Sequence, residues 1–219
     1  MSGCSTRYEV CKTKHNMETK VYCYRTNMVE YIIESFPEID PFLLRKWHHA
    51  FATFFDVNHN GVLEWGDYRL LTEIIKAMRG ENSEEYKSAN IALKEIWDRL
   101  LEETHPNQDG NVSLVNWIAM WQRTLTGEDP FWQKNYLEYM FQLFDASGDQ
   151  LIDLAEYIEV LSYFNIGRME AVNCFDKFAK MPDGSQKMAI DYAKFCSLWD
   201  EYFHSKDLNA AGNYLLGYP

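Results

Sequence analysis

Apolar residues recur along most of this chain at three- and four-residue intervals, the spacing of amphipathic helices. Leu44, Trp47, Phe51 and Phe54-Phe55 form one such stripe; Ala89, Leu93, Ile96-Trp97 and Leu100 form a second. Trp132, Tyr136, Met140 and Phe144 form a third, and Phe195, Leu198-Trp199 and Tyr202 a fourth. Two helix starts are marked by a capping aspartate followed by proline at the first helical position, Asp40-Pro41 and Asp129-Pro130. The pattern predicts an all-α protein.

The polar breaks between stripes repeat. Asp56-Val-Asn58-His-Asn60-Gly61-Val62-Leu63-Glu64-Trp-Gly-Asp67 places side-chain oxygens at positions 1, 3, 5, 9 and 12 of a twelve-residue loop. That is the spacing of an EF-hand calcium loop. Calcium takes six to eight oxygens, and alternate residues of a tightly turned loop can point at one centre. Position 7 supplies a backbone carbonyl, that of Val62, and position 6 needs φ > 0, which Gly61 adopts without strain. A second match runs from Asp145 through Ser147, Asp149, Gln150, Leu151 and Asp153 to Glu156. Gln150 replaces glycine at position 6, at a cost of roughly 1–2 kcal/mol.

Two further loops follow from the apolar frame. Position 8 is aliphatic, suited to a short strand against a neighbouring loop, and position 13 is aromatic. Leu63 with Tyr68 and Ile152 with Tyr157 set the pattern; Val112 with Trp117 and Ile190 with Phe195 repeat it. They place loops at 105–116 and 183–194. The expected architecture is four helix–loop–helix units in two pairs, in a compact single globule. Boundaries fall at 28–126 and 127–204, with 205–219 as a closing tail. Residues 1–27 are polar and carry Cys4, Cys11 and Cys23; a disordered extension is expected there.

The ligand sets differ. The third loop offers four carboxylates, Asp145, Asp149, Asp153 and Glu156, and the first offers Asp56, Glu64 and Asp67. Asp67 is one methylene shorter than the usual glutamate and can bind through one oxygen, which favours six-coordinate geometry and suits magnesium better than it does seven-coordinate calcium, so magnesium is a second candidate ion for the first loop. The second loop has His105 at position 1 and Asn116 at position 12, with Asp109 its one carboxylate. It is read as a structural partner. The fourth puts Lys187 and Lys194 at positions 5 and 12, where ammonium groups replace ligands. Two calcium ions are therefore expected per chain.

Those loops, together with the tail from Tyr202 through Asp207 and Gly212-Asn213 to Gly217, resemble invertebrate sarcoplasmic calcium-binding proteins, the calexcitins among them. The resemblance spans about residues 40–217, with Trp97, Trp117 and Trp121 in the second unit. It implies two EF-hand pairs, a closing C-terminal segment, and a buffering or signalling role. The chain departs at the second loop, where calexcitin-type proteins carry acids at positions 1 and 12. The alternative is a calcium-triggered photoprotein or coelenterazine-type luciferin-binding protein, which Phe54-Phe55-Asp56, the many aromatic residues and Pro219 also resemble. Lys187 and Lys194 argue against it, because a photoprotein needs a competent fourth loop.

Composition narrows the remaining classes. A net charge of −12 disfavours nucleic acid and anionic membrane surfaces as partners. Five cysteines, an odd number with no CxxC, read as reduced thiols in a cytoplasmic protein. Neither a secretory apolar segment nor a run of about 18 apolar residues occurs, and Ser2 in place of glycine removes a myristoylation signal. No catalytic, phosphate-loop or zinc spacing emerges, so no enzyme is expected. His48-His49 is expected at a partly exposed helix edge, His59 facing outward, and Cys174 and Cys196 as small core residues. A protein target is left open.

Overall fold

The computed structural model describes residues 28–106, 108–127, 131–180, 185 and 189–219. The expectations for the 1–27 extension, the Asp129-Pro130 helix start, and Asp183 and Lys187 of the fourth loop lie outside these residues.

A helix at 28–35 (α1) leads to α2, Pro41–Ala50, whose cap forms as expected: Asp40 Oδ1 accepts from Phe42 N at 2.8 Å. Helix α2 runs on through one π-helical turn, Phe51–Phe55, closed by Asp56 N donating to Phe51 O at 2.8 Å. Then follow β1 (Val62–Leu63), α3 (Trp65–Arg79), α4 (Glu84–Thr104), β2 (Val112–Ser113) and α5 (Leu114–Thr124). The second half repeats the order as α6 (Phe131–Phe144), β3 (Leu151–Asp153), α7 (Leu154–Tyr163), α8 (Arg168–Phe178), β4 (Ala189–Asp191) and α9 (Tyr192–His204). A short 3₁₀ turn, Ala211–Tyr214, carries the tail.

The loops pair as the position-8 residues require. Strand β1 lies antiparallel to β2 with Leu63 opposite Val112, and β3 antiparallel to β4 with Ile152 opposite Ile190. All four side chains are buried, as are the position-13 rings of Tyr68, Trp117, Tyr157 and Phe195. Each pair is a scaffold in which one loop holds the other's backbone.

Between the halves lies an aromatic core. Trp121 stacks on Phe203 at 4.1 Å, Phe55 meets Trp117 at 4.7 Å and Tyr136 at 4.6 Å, and Tyr136 meets Trp199 at 5.6 Å. A tryptophan or tyrosine buries roughly 150–250 Å², worth several kcal/mol at about 25 cal/mol/Å². Hydrogen bonds orient the rings: Trp117 Nε1 donates to Trp47 O and Trp47 Nε1 to Phe203 O, both at 2.9 Å. Helix α2 is thereby pinned to α5 and α9 together.

That enclosure overturns one expectation. His48 is buried rather than at an edge, on a helix that packs against both α5 and α9; His49 is half-buried and donates through Nε2 to Leu216 O at 2.8 Å. Cys174 is fully buried, and burial pushes its thiol up to about 12. Cys196 departs from expectation in being only half-buried, beside Tyr192.

The tail is locked by polar contacts to both halves. Lys46 is completely buried, and its ammonium donates to Ser205 O at 2.7 Å, Asn213 Oδ1 at 3.0 Å and Glu201 O at 3.2 Å. Burial lowers its pKa to about 8, against opposing pulls from Asp40 and Glu201. Tyr157 donates to Tyr214 O and Leu215 O at 2.9 and 3.0 Å. Gly212 meets α9 so closely that a Cβ would sit 2.4 Å from both Glu201 Cβ and Leu198 O. Gly212→Ala is therefore expected to lower unfolding free energy by about 1–3 kcal/mol in a urea titration. A loss below about 0.5 kcal/mol would show that the tail does not seat against α9 as described.

Candidate metal centres

The first and third loops share one hydrogen-bond frame. In each, the position-12 carboxylate spans two backbone donors. Asp67 accepts from Asn58 N at 3.1 Å and Glu64 N at 2.9 Å; Glu156 accepts from Ser147 N at 2.9 Å and Asp153 N at 3.0 Å. The position-1 carboxylate accepts from the position-6 amide, Asp56 from Gly61 at 2.9 Å and Asp145 from Gln150 at 3.0 Å. Position 5 steadies the turn, with Asn60 Oδ1 taking Val62 N and Asp149 Oδ1 taking Leu151 N. Position 9 caps the exit helix: Asp153 accepts from Glu156 N, and Glu64 and Asp67 form a reciprocal capping box.

The backbone explains how both loops make the same turn from different residues. Positions 4 and 6 are both left-handed: His59 at φ 57° and Gly61 at 87° in the first loop, Gly148 at 72° and Gln150 at 68° in the third. Each loop thus places one glycine at one of the two strained positions and a side chain at the other. Reading position 6 alone misses this exchange; the glycine at 148 was the available signal. His59 is exposed, as expected for position 4.

The surroundings of the two loops differ. Asp56 and Asp67 are buried. Burial raises the pKa of each; backbone N–H groups oppose the rise, and for Asp67 the nearby Asp56 and Glu64 add to it. Two buried carboxylates side by side call for a positive charge. Glu64 is half-buried, and its Oε1 accepts from Asn58 Nδ2 at 3.0 Å and Asn60 Nδ2 at 3.2 Å. Val62, whose carbonyl fills position 7, lies in β1. In the third loop Ser147, Asp149, Leu151 and Asp153 are exposed and Asp145 and Glu156 half-exposed. Asp145 Oδ1 is a buried atom without a hydrogen-bond partner. Among the described residues, no three His, Cys, Asp or Glu side chains already converge as a metal cluster. The candidate ligands are therefore arrayed around their loops and held by N–H donors. Their donor set is entirely oxygen, which fits a hard divalent cation.

The second loop is sealed from within. Asn116 Oδ1 accepts from Ser113 N at 3.2 Å and from the Ser113 hydroxyl, while Asn116 Nδ2 donates to His105 O at 3.3 Å. A donor thus stands where an ion needs an acceptor. His105 itself is left-handed, φ 51°, and serves as the C-cap of α4. In the fourth loop Asp191 caps α9 by accepting from Lys194 N at 2.8 Å.

Comparisons with known proteins bear on the fold and the family. No protein-family model matches the chain. It is 30% identical over 189 residues to calexcitin-1 of Caenorhabditis elegans, covering 86% of this chain and 93% of that protein. Among solved structures it is similar to a sarcoplasmic calcium-binding protein from amphioxus, with a TM-score of 0.69 and 24% identity over 83% of this chain and all of the other. Likeness to n-aequorin is lower, a TM-score of 0.59 and 16% identity over 81% and 92% of the two chains, and shows the fold alone. By its identity to calexcitin-1 over nearly the whole of both proteins, the chain belongs to the family of the calexcitins and sarcoplasmic calcium-binding proteins.

Proposed function

We propose that this protein binds two calcium ions, one in the first loop and one in the third, and acts as a cytoplasmic calcium buffer or signalling protein rather than an enzyme. The shared hydrogen-bond frame carries the reading. Position 12 spans the amides of positions 3 and 9 in both loops, and an ion would draw Asp56, Asn58, Asn60, Val62, Glu64 and Asp67 to one centre. Asp145, Ser147, Asp149, Leu151, Asp153 and Glu156 would be drawn to the other. Each binding loop pairs with a degenerate one, within units 28–126 and 127–204, and the tail 205–219 closes over both.

Calcium would supply the charge that compensates the buried Asp56 and Asp67 and would fill the free valence of Asp145 Oδ1. The chain's own residues do the rest: backbone amides hold the carboxylates at the rim, and the β1–β2 and β3–β4 pairs keep the loops from splaying. The closing tail favours buffering over target capture. The tail lies along α2, α7 and α9, where an exposed groove would otherwise be needed. Against a photoprotein-like ligand stand Lys194 at position 12 of the fourth loop and the mutual packing of the Trp117, Trp121, Trp132, Tyr136 and Trp199 rings. No helix among the described residues is long and apolar enough to cross a membrane.

Glu156→Gln keeps an acceptor for one backbone amide and removes the charge. Calorimetric titration is expected to fall from two calcium ions per chain to one. Retention of two ions at unaltered affinity would contradict the role given to position 12. Asp67→Glu adds the methylene that lets both oxygens reach inward, so it should raise the first loop's calcium-over-magnesium preference roughly tenfold, about 1.4 kcal/mol. An unchanged preference would detach metal selectivity from the length of that side chain.

A further inference from the structure

The two candidate sites are far apart in sequence, yet one side chain reaches from the exit helix of the first to both flanks of the third. Arg79 is the last residue of α3. Its Nη2 donates to Leu143 O at 2.8 Å, and its Nη1 stands 3.7 Å from Glu159 Oε1. Leu143 lies on α6, two residues before Asp145 at position 1; Glu159 lies on α7, three residues after Glu156 at position 12. The guanidinium therefore joins the helix entering the third loop to the helix leaving it. Leu143 O belongs to the last turn of α6, where carbonyls lack helical partners and a cation is favoured.

The setting makes this bridge more than a surface ion pair. Arg79 is largely buried, its side chain 13% exposed. It lines a cleft of about 400 Å³ between α3, α4 and α6, together with Ile75, Tyr139, Leu143, Asp145 and Ser147. From the wall of that cleft the guanidinium makes one hydrogen bond, to Leu143 O, and one looser ion pair, to Glu159. Helix α3 is also a lever. It begins beside Asp67, and the twelve residues from there to Arg79 span about 18 Å at 1.5 Å per residue. A rigid α3 that pivoted at its start, as Asp67 closed on an ion with Asp56, would carry the largest displacement to its far end at Arg79.

We infer that Arg79 is a positioning residue that couples the two calcium sites: closure of the first loop swings α3, and the guanidinium sets the spacing of α6 and α7 around the third. This rests on the two-site reading above. Coupling of this kind is reciprocal, so emptying one site changes the affinity of the other by the same factor in either direction. The planar guanidinium suits the role because its two nitrogens address two helices at once, one by a hydrogen bond and one by charge. Arg79→Lys keeps the charge and loses the fork; Glu159→Gln keeps α7 and removes the ion pair.

Trp65 gives a local readout. It follows the ligand Glu64, is 41% exposed and stacks on Tyr68 at 6.1 Å, and a Trp65→Phe control removes the signal of the other tryptophans by difference. First-loop calcium affinity is measured by Trp65 emission in the full chain, with and without Glu156→Gln, in the wild-type, Arg79→Lys and Glu159→Gln backgrounds. In the wild type, emptying the third loop should weaken the first at least about fivefold. In either bridge variant the same change should shift it less than about twofold. A merely structural Arg79 would lower the melting temperature and leave the fivefold effect intact, which would overturn the inference. Two bound ions without any wild-type coupling would overturn it too, while leaving the two-site reading standing. A wild-type chain that takes up no calcium in native mass spectrometry would overturn both.

Discussion

Two short strand pairs, Leu63 against Val112 and Ile152 against Ile190, are the constraint on which the rest of this structure depends. A single helix–loop–helix unit cannot bury its own apolar face. Its loop backbone also carries N–H and C=O groups that need partners. Pairing solves both at once. It gives the second and fourth loops a role whatever they bind: each supplies the strand that pairs with the first or the third. Asn116 bonds back to His105 O and caps α5 through Ser113, so the second loop keeps its shape by internal hydrogen bonds.

From those pairs the aromatic core follows. Position 13 closes the first turn of each exit helix, and Tyr68, Trp117, Tyr157 and Phe195 are all buried there. Trp47, Trp121, Trp199 and Phe203 then weld the halves, and buried Lys46 and Tyr157 fasten the tail across them. Five backbone or amide acceptors around two buried donors, four of them in the tail, make the tail a structural member. Tyr157 is next in sequence to the candidate ligand Glu156, so the closing segment and the third loop share a residue pair.

Much of this was legible in the sequence because EF-hand chemistry is local. Oxygen at alternate positions, an aliphatic residue at 8 and an aromatic at 13 are spacings within one loop, and they located all four units. Helix starts at Asp40-Pro41 and the left-handed Gln150 were readable for the same reason. What escaped is non-local. Lys46 looks like a solvated helix charge until Asn213, far along the chain, is known to lie against it. His48 looks like an edge residue until α5 and α9 are known to pack against α2. Arg79 finds its partners 64 and 80 residues away, at Leu143 and Glu159. The π turn at Phe51–Phe55 shifts the register of the first loop's entry by one residue, and no residue type announces it.

The central claim is that ligand-bearing loops and structural loops alternate. Its most direct test is diffraction from crystals of the full chain grown with calcium, using anomalous scattering to place the ions. The account predicts two peaks, one ringed by residues 56–67 and one by residues 145–156, and none within 105–116 or 183–194. A calcium peak beside Asn116 and His105, or a first loop left empty beside a filled third, would contradict it.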